Sequence, residues 1–248
     1  HIVDSLPKNL SKELTLSVNK KTRLASSSNH SATHLLHEAL RSVLGIHVQQ
    51  KGSMVSDKYL RFDFSHFSKL SENEIEEVQT FVNQKIIDQI PLEENRSALY
   101  KDCINQGVIA LFGEKYGETV RSVKFGNSHE LCGGTHVSNT IQLRSFIISS
   151  ESAISTGIRR IEAVSGAQAI ELLLNQSKTL KKVNSILIND KDPVEAINKI
   201  KNQSTILNKK LEKVNNELSI FYLKELKEKV NLIKGLNFCT QELSCDPN

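Results

Sequence analysis

Beyond Pro193, the residues Ile197, Ile200, Leu207, Leu211, Val214, Leu218 and Phe221 fall at alternating three- and four-residue steps, with Ser204 filling one slot. That spacing keeps one stripe of a helix apolar for many turns and does not suit the two-residue alternation of a strand. Leu223, Leu226, Val230 and Ile233 resume the pattern after a phase slip, and Lys, Glu and Asn fill the flanks. Residues 169–248 therefore read as a coiled-coil or helical-hairpin arm, split by Pro193 and helical from about Gln168 to Ile233. A continuous apolar seam on an isolated helix needs a partner, so the arm is expected to pair with itself or to form a homodimer.

The first two thirds are organised differently. Leu14, Leu16 and Val18 alternate with polar residues, so 1–25 reads as the tail of a preceding β-rich subdomain. Ser26-Ser27-Ser28-Asn29 supplies capping side chains for a helix from about His30 to Leu44, stopped by Gly45. Ile46 and Val48 begin a strand pattern that breaks at Lys51-Gly52-Ser53, and Leu60, Phe62 and Phe64 mark a half-buried strand. Ser71 and Glu74 form a capping box for a helix that runs to Pro91, and a shorter helix is expected over Ser97–Gln106. From Val108 to Gly166, glycines punctuate β-rich pieces at Thr119–Phe125, Leu143–Ser149 and Gly157–Val164. Strands and helices mix without a regular βαβ alternation. The fold class is α+β, a mixed or antiparallel sheet with helices over 26–168, followed by the arm.

Composition excludes more than it selects. No apolar run approaches the ~20 residues of a membrane span, and no signal segment opens the chain, so no membrane partner is expected. Cys103, Cys132, Cys239 and Cys245 show no disulfide-like spacing, which points to a reducing cytoplasm. The net charge of +4 permits nucleic-acid binding without demanding it. His1 is not methionine, so the chain is expected to be a piece of a longer one.

His30 and His34 stand at i and i+4, which puts both imidazoles on one helix face, roughly 6 Å apart at the backbone. His37 lies one turn further on. Cys132-Gly133-Gly134-Thr135-His136 places a thiolate and an imidazole on either side of two glycines that allow a tight loop. Each half alone has a bland reading, a histidine-rich helix or a buried thiol beside an ordinary turn. Together, His30, His34, Cys132 and His136 make a tetrahedral Zn2+ set. His47, His66 and His129 read as ordinary surface or core histidines, Cys103 as core, and Cys239 and Cys245 carry no role.

His30-Ser-Ala-Thr-His34-Leu-Leu-His37, Gln50-Lys-Gly-Ser53, Leu60-Arg-Phe-Asp-Phe-Ser-His66, Ala110-Leu-Phe-Gly-Glu-Lys-Tyr116, Glu130-Leu-Cys-Gly-Gly-Thr-His136 and Gly157-Ile-Arg-Arg-Ile-Glu-Ala-Val164 appear in order over about residues 20–168. This series resembles the editing domain of bacterial-type alanyl-tRNA synthetases. The resemblance implies a zinc-dependent aminoacyl-tRNA deacylase that hydrolyses the ester of tRNA(Ala) mischarged with serine or glycine. A small amino-acid pocket cannot strongly reject a smaller side chain or one added hydroxyl, so a second, hydrolytic site is the physical remedy. The full-length parent would attach alanine using ATP, and the arm would lead to a C-terminal domain.

By position, the resemblance makes His30, His34, Cys132 and His136 the metal ligands and Cys132, His136 and Gln50 the catalytic group. Thr33 and Gln50 would meet the substrate, and Arg159 or Arg160 the tRNA end or backbone. Val18-Asn-Lys-Lys-Thr-Arg23 departs from the family's acidic-then-paired-arginine stretch. Four protein ligands close a zinc site whereas catalysis wants an open position, so one ligand, with His136 the candidate, is expected to be replaceable or to act as a base. Alternatives are a free-standing trans-editing deacylase, a structural-zinc RNA-binding module and a coiled-coil interaction protein.

Overall fold

The computed structural model describes residues 13, 17–111, 115–187 and 192–239, so the strand expected at Leu14 and Leu16, and also Cys245, lie outside the described residues. The chain divides into two compact units, His1–Gln176 and Ser177–Asn248.

The first unit is built around α1 (Lys20–Leu44). This helix begins ten residues before the expected start. Asn19 is its cap, accepting the Thr22 N–H, while Ser27, Ser28 and Asn29 are buried inside the helix. The reason is tertiary. The Asn29 side chain donates to Ser56 O and accepts from the backbone N–H and the hydroxyl of Ser165, so Asn29 finds long-range partners instead of capping a helix. Ala32, Leu35, Leu36, Ala39 and Leu40 form the buried stripe at helical spacing. Gly45 stops the helix at φ 115°, as expected of a glycine in that role.

A four-stranded antiparallel sheet lies against α1 in the order β1 (Gln50–Val55), β2 (Leu60–Ser65), β7 (Ile158–Ser165), β6 (Phe146–Ser155). β1 runs through Lys51–Ser53, where a break was expected, by taking a register shift between Gln50 and Gly52. Leu60, Phe62 and Phe64 on β2 are fully buried. Each such side chain contributes roughly 1.5–3 kcal/mol of burial. They hold α1 rigidly, together with α2 (Glu72–Ile87), whose Ser71–Glu74 capping box is formed as expected. α2 ends at Ile87, before Pro91, with Gln89 at φ 53° turning the chain.

A second antiparallel sheet orders β3 (Glu93–Leu99), β4 (Thr119–Phe125) and β5 (Ser128–Leu131), with α3 (Tyr100–Asn105) packed on it. The helix expected over Ser97–Gln106 starts only at Tyr100, because Ala98 and Leu99 pair with Val120 and Thr119. Tertiary pairing outweighs local propensity there. β5 was not anticipated. The piece expected at Leu143–Ser149 divides into a 3₁₀ turn at Thr140–Leu143 and the start of β6. The architecture is α+β with antiparallel sheets and helices, in line with the expected class.

α4 (Ala167–Ile186) follows, and α5 (Pro193–Glu228) carries Pro193 in its first turn behind the Asp192 cap. The helix stops at Glu228 instead of reaching Ile233. Asn231–Ile233 (β8) and Leu236–Phe238 (β9) form a hairpin whose turn residues Lys234 and Gly235 both have positive φ. Among the described residues, no helix is long and apolar enough to cross a membrane.

Candidate metal centre

His30 and His34 lie one turn apart on α1, and the loop after β5 brings Cys132 and His136 against them. The four donor atoms all lie within 4.8 Å of one another. Cys132 Sγ is 3.4 Å from His30 Nε2 and 3.3 Å from His136 Nε2. Adjacent donors around a tetrahedral zinc with nitrogen and sulfur ligands are separated by roughly 3.3–3.7 Å, so these spacings suit such an ion. The donor chemistry suits it too. Burial, then neighbouring His34, hold His30 down at about 4, and the same causes hold His136 well below the ordinary imidazole value. Burial also lowers His34. Neutral imidazole is the form that binds a metal.

The loop is pinned from three sides. Arg121 Nη1 donates to Cys132 O at 2.9 Å and to Gly134 O at 2.6 Å, and Arg121 Nη2 donates to Glu94 Oε2 at 2.6 Å. Val137 N donates to Ser31 Oγ on α1 at 3.1 Å. Gly134 N donates to Cys132 Sγ at 3.4 Å, which favours a thiolate. The two glycines are not equivalent. A Cβ on Gly134 would stand 2.1 Å from His30 Cε1, whereas one on Gly133 would meet nothing within 4 Å. Only Gly134 is demanded by close approach.

Behind the ligands sits Glu130, which is buried. Its Oε1 is 2.9 Å from His37 Nδ1, and its Oε2 is 3.6 Å from His34 Nδ1. Burial opposes its ionisation, but His34 and His37 outweigh that and hold the carboxyl below its usual range. Its hydrogen bond goes to His37, while the His34 contact is an ion-pair distance only, with His34 Nδ1 left without a hydrogen bond among the described residues.

Thr33 is buried one turn from His30, and its hydroxyl donates to Asn29 O at 2.8 Å. Gln50 opens β1 and donates to Ser53 Oγ at 3.1 Å. With His37, Arg41 and Leu111 it lines a cavity of about 270 Å³, and Leu111 also lines the neighbouring cavity, about 410 Å³, that includes His30 and Cys132. Arg159 and Arg160 lie on β7 and are engaged by carboxylates: Arg159 pairs with Glu151, and Arg160 makes a two-point contact to Asp63 at 2.6 and 2.8 Å. Cys103 is core, as expected. His47 and His66 hydrogen-bond to each other at 2.9 Å.

Ser31, Arg121 and Glu130 received no role from sequence reasoning. Ser31 and Glu130 stand inside the two motifs that carry the ligands. Glu130 offered a signal, an acid directly before an apolar residue and a cysteine in a β-rich stretch. Nothing local to Arg121 distinguishes it from an ordinary strand arginine.

Residues 120–162, which span β4 through most of β7, match the family described as the threonyl and alanyl tRNA synthetase second additional domain. An alanine–tRNA ligase of Christiangramia forsetii is 48% identical over 246 residues, covering 99% of this chain and 28% of that protein. This chain is homologous to a segment of the alanine–tRNA ligases. The ligase of Flavobacterium psychrophilum is 42% identical over 243 residues, 98% of this chain and 27% of that protein. That of Caldicellulosiruptor saccharolyticus is 48% identical over 213 residues, 83% of this chain and 24% of that protein. The chain thus spans about a quarter of the length of the curated relatives it matches. The metal-site histidines on α1 lie upstream of the matched domain, so the site joins two parts of the chain.

Proposed function

We propose that residues 26–168 are the editing domain of an alanyl-tRNA synthetase, a cytoplasmic zinc-dependent deacylase acting on Ser-tRNA(Ala) and Gly-tRNA(Ala). The observation that carries this reading is the convergence of His30, His34, Cys132 and His136, in a chain similar along its whole length to alanine–tRNA ligases. Zn2+ held by these residues would supply Lewis-acid chemistry to an ester carbonyl or a water. The protein's own groups bind and orient. The single Thr33 proton is given to Asn29 O, so toward a ligand the hydroxyl acts as an acceptor, suited to a seryl hydroxyl and indifferent to glycine. Gln50 offers amide dipoles from the adjoining cavity. Arg159 and Arg160 would meet the tRNA backbone with guanidinium N–H donors beyond those given to Glu151 and Asp63. The parent's alanine attachment with ATP, and an arm over 169–248 leading to a C-terminal domain and pairing two chains, belong to the same reading. The exposed seam of α5 supports the pairing.

Deacylation of Ser-tRNA(Ala) by this chain, with and without chelation of zinc, tests the proposal. Hydrolysis lost on chelation and restored by zinc is the expected result. Tight zinc binding without hydrolysis would favour the structural-zinc RNA-binding module, for which closure of the site by four protein ligands speaks.

A further inference from the structure

A histidine that ligates a metal through one ring nitrogen must carry its proton on the other, and that proton needs an acceptor. The three histidines of the centre differ in what stands behind them. His34 Nδ1 lies 3.6 Å from the Glu130 carboxylate, too far for a hydrogen bond, and makes none with the described residues. The backbone of Thr135 stands beside the His30 ring. Behind His136 stands the Ser31 hydroxyl, with Oγ 3.1 Å from Nδ1. A hydroxyl both donates and accepts. Ser31 is fully buried and also receives the Val137 N–H.

Ser31 can accept from a protonated Nδ1, which leaves Nε2 bare for a metal. It can equally donate to a bare Nδ1, which leaves the proton on Nε2. In that second tautomer His136 cannot ligate, and its Nε2–H points at Cys132 Sγ 3.3 Å away as a hydrogen-bond donor. The ring's proton count is the same in both. Among the described residues no hydroxyl is hydrogen-bonded to the ring of His30 or His34, so neither has this alternative.

We propose that His136 is the exchangeable ligand of this centre and that Ser31 is the positioning residue whose hydroxyl, by accepting the Nδ1 proton, holds His136 in its ligating tautomer and, by turning, releases it. His30, His34 and Cys132 form the permanent set. Withdrawal of His136 frees the coordination position that ester hydrolysis needs and that four protein ligands would otherwise deny. This inference rests on the zinc-deacylase reading and deepens it.

The test loads the chain with Co2+ in place of zinc, reads coordination number from the visible spectrum, and measures Zn2+ affinity by competition with a chelator. His136→Ala should weaken zinc binding by only about tenfold. His30→Ala and His34→Ala should weaken it by roughly 100-fold or more, since they remove permanent ligands. Ser31→Ala removes the acceptor for the Nδ1 proton, so its cobalt spectrum should resemble that of His136→Ala, and Ser31→Thr should restore the parental spectrum. Thermal melts of the metal-free variants show that each has folded. Equal affinity losses in the three histidine variants, or a parental spectrum in Ser31→Ala, would overturn the inference alone. A parental chain that takes up no Co2+ overturns it together with the zinc reading. Hydrolysis of Ser-tRNA(Ala) by the parental chain, measured alongside, separates these outcomes from failure of the proposed activity.

Discussion

At the scale of the residue, Cys132 and Gly134 set the centre in different ways. Cys132→Ala removes the only sulfur donor among the four ligands, so zinc content and Ser-tRNA(Ala) hydrolysis should fall together. Hydrolysis at the parental rate would defeat the metal-centred mechanism. Gly134→Ala places a Cβ inside the van der Waals radius of His30, so the loop must shift. A cost of about 1–3 kcal/mol in denaturant melts, with loss of zinc, is expected. The same change at Gly133 should be close to neutral, and the contrast is the check. Thr33→Val should lower hydrolysis of the seryl substrate more than that of the glycyl one, by on the order of 0.5–1.5 kcal/mol, since only serine offers a hydroxyl. Equal losses would remove Thr33 from side-chain reading. Protons compete with folding here as well. His30 is neutral in the folded protein down to about 4, whereas an unfolded histidine takes its proton near 6.5. The unfolded state therefore binds more protons between those values. The chelated protein should keep full stability above pH 6.5 and lose it progressively as pH falls toward 4. Melting temperatures that do not change across that window would contradict the buried, neutral site.

At the scale of the element, the loop after β5 depends on β4. Arg121 reaches from β4 to hold two of its carbonyls, and Glu94 on β3 holds Arg121. Removing that clamp leaves the ligands present but unpositioned. Arg121→Met should lower zinc affinity by roughly 10–100-fold while the far-ultraviolet circular dichroism spectrum stays parental. Unchanged affinity would show that the loop holds itself. α1 illustrates how elements hide their ends. Its local signals invite a start near His30, yet ten further residues precede it in the helix, and Asn29, the strongest cap candidate of the polar run, is bonded instead to β7 and the β1–β2 turn. The i, i+4 placement of the histidines survives this error, since it needs only that the segment be helical.

At the scale of the whole molecule, the α5 seam is exposed along its length, with Leu207, Leu211 and Phe221 each 60% or more accessible. Large contiguous apolar surface on a soluble helix marks an interface. If the arm pairs two chains, sedimentation should show a concentration-dependent dimer that Leu211→Glu abolishes. A monomer at all concentrations would remove the homodimer from the proposal.

What the sequence by itself determined were the features encoded by short spacing: the helical face of His30 and His34, the Cys132–His136 loop, the β2 alternation, the Ser71 capping box and the break of the arm at Pro193. In each case the physical rule acts over a few residues. Only the tertiary structure decided what depends on distant partners. Cys132 meets His30 across 102 positions, and Glu130 meets His37 across 93. The start of α1, the strand at Ser97–Leu99, the Arg121 clamp and the unequal partners behind the three histidines follow from such pairings. Hydrogen bonds and packing between remote segments leave no periodic trace in one chain, so chemistry that rests on them becomes visible only when the segments are brought together.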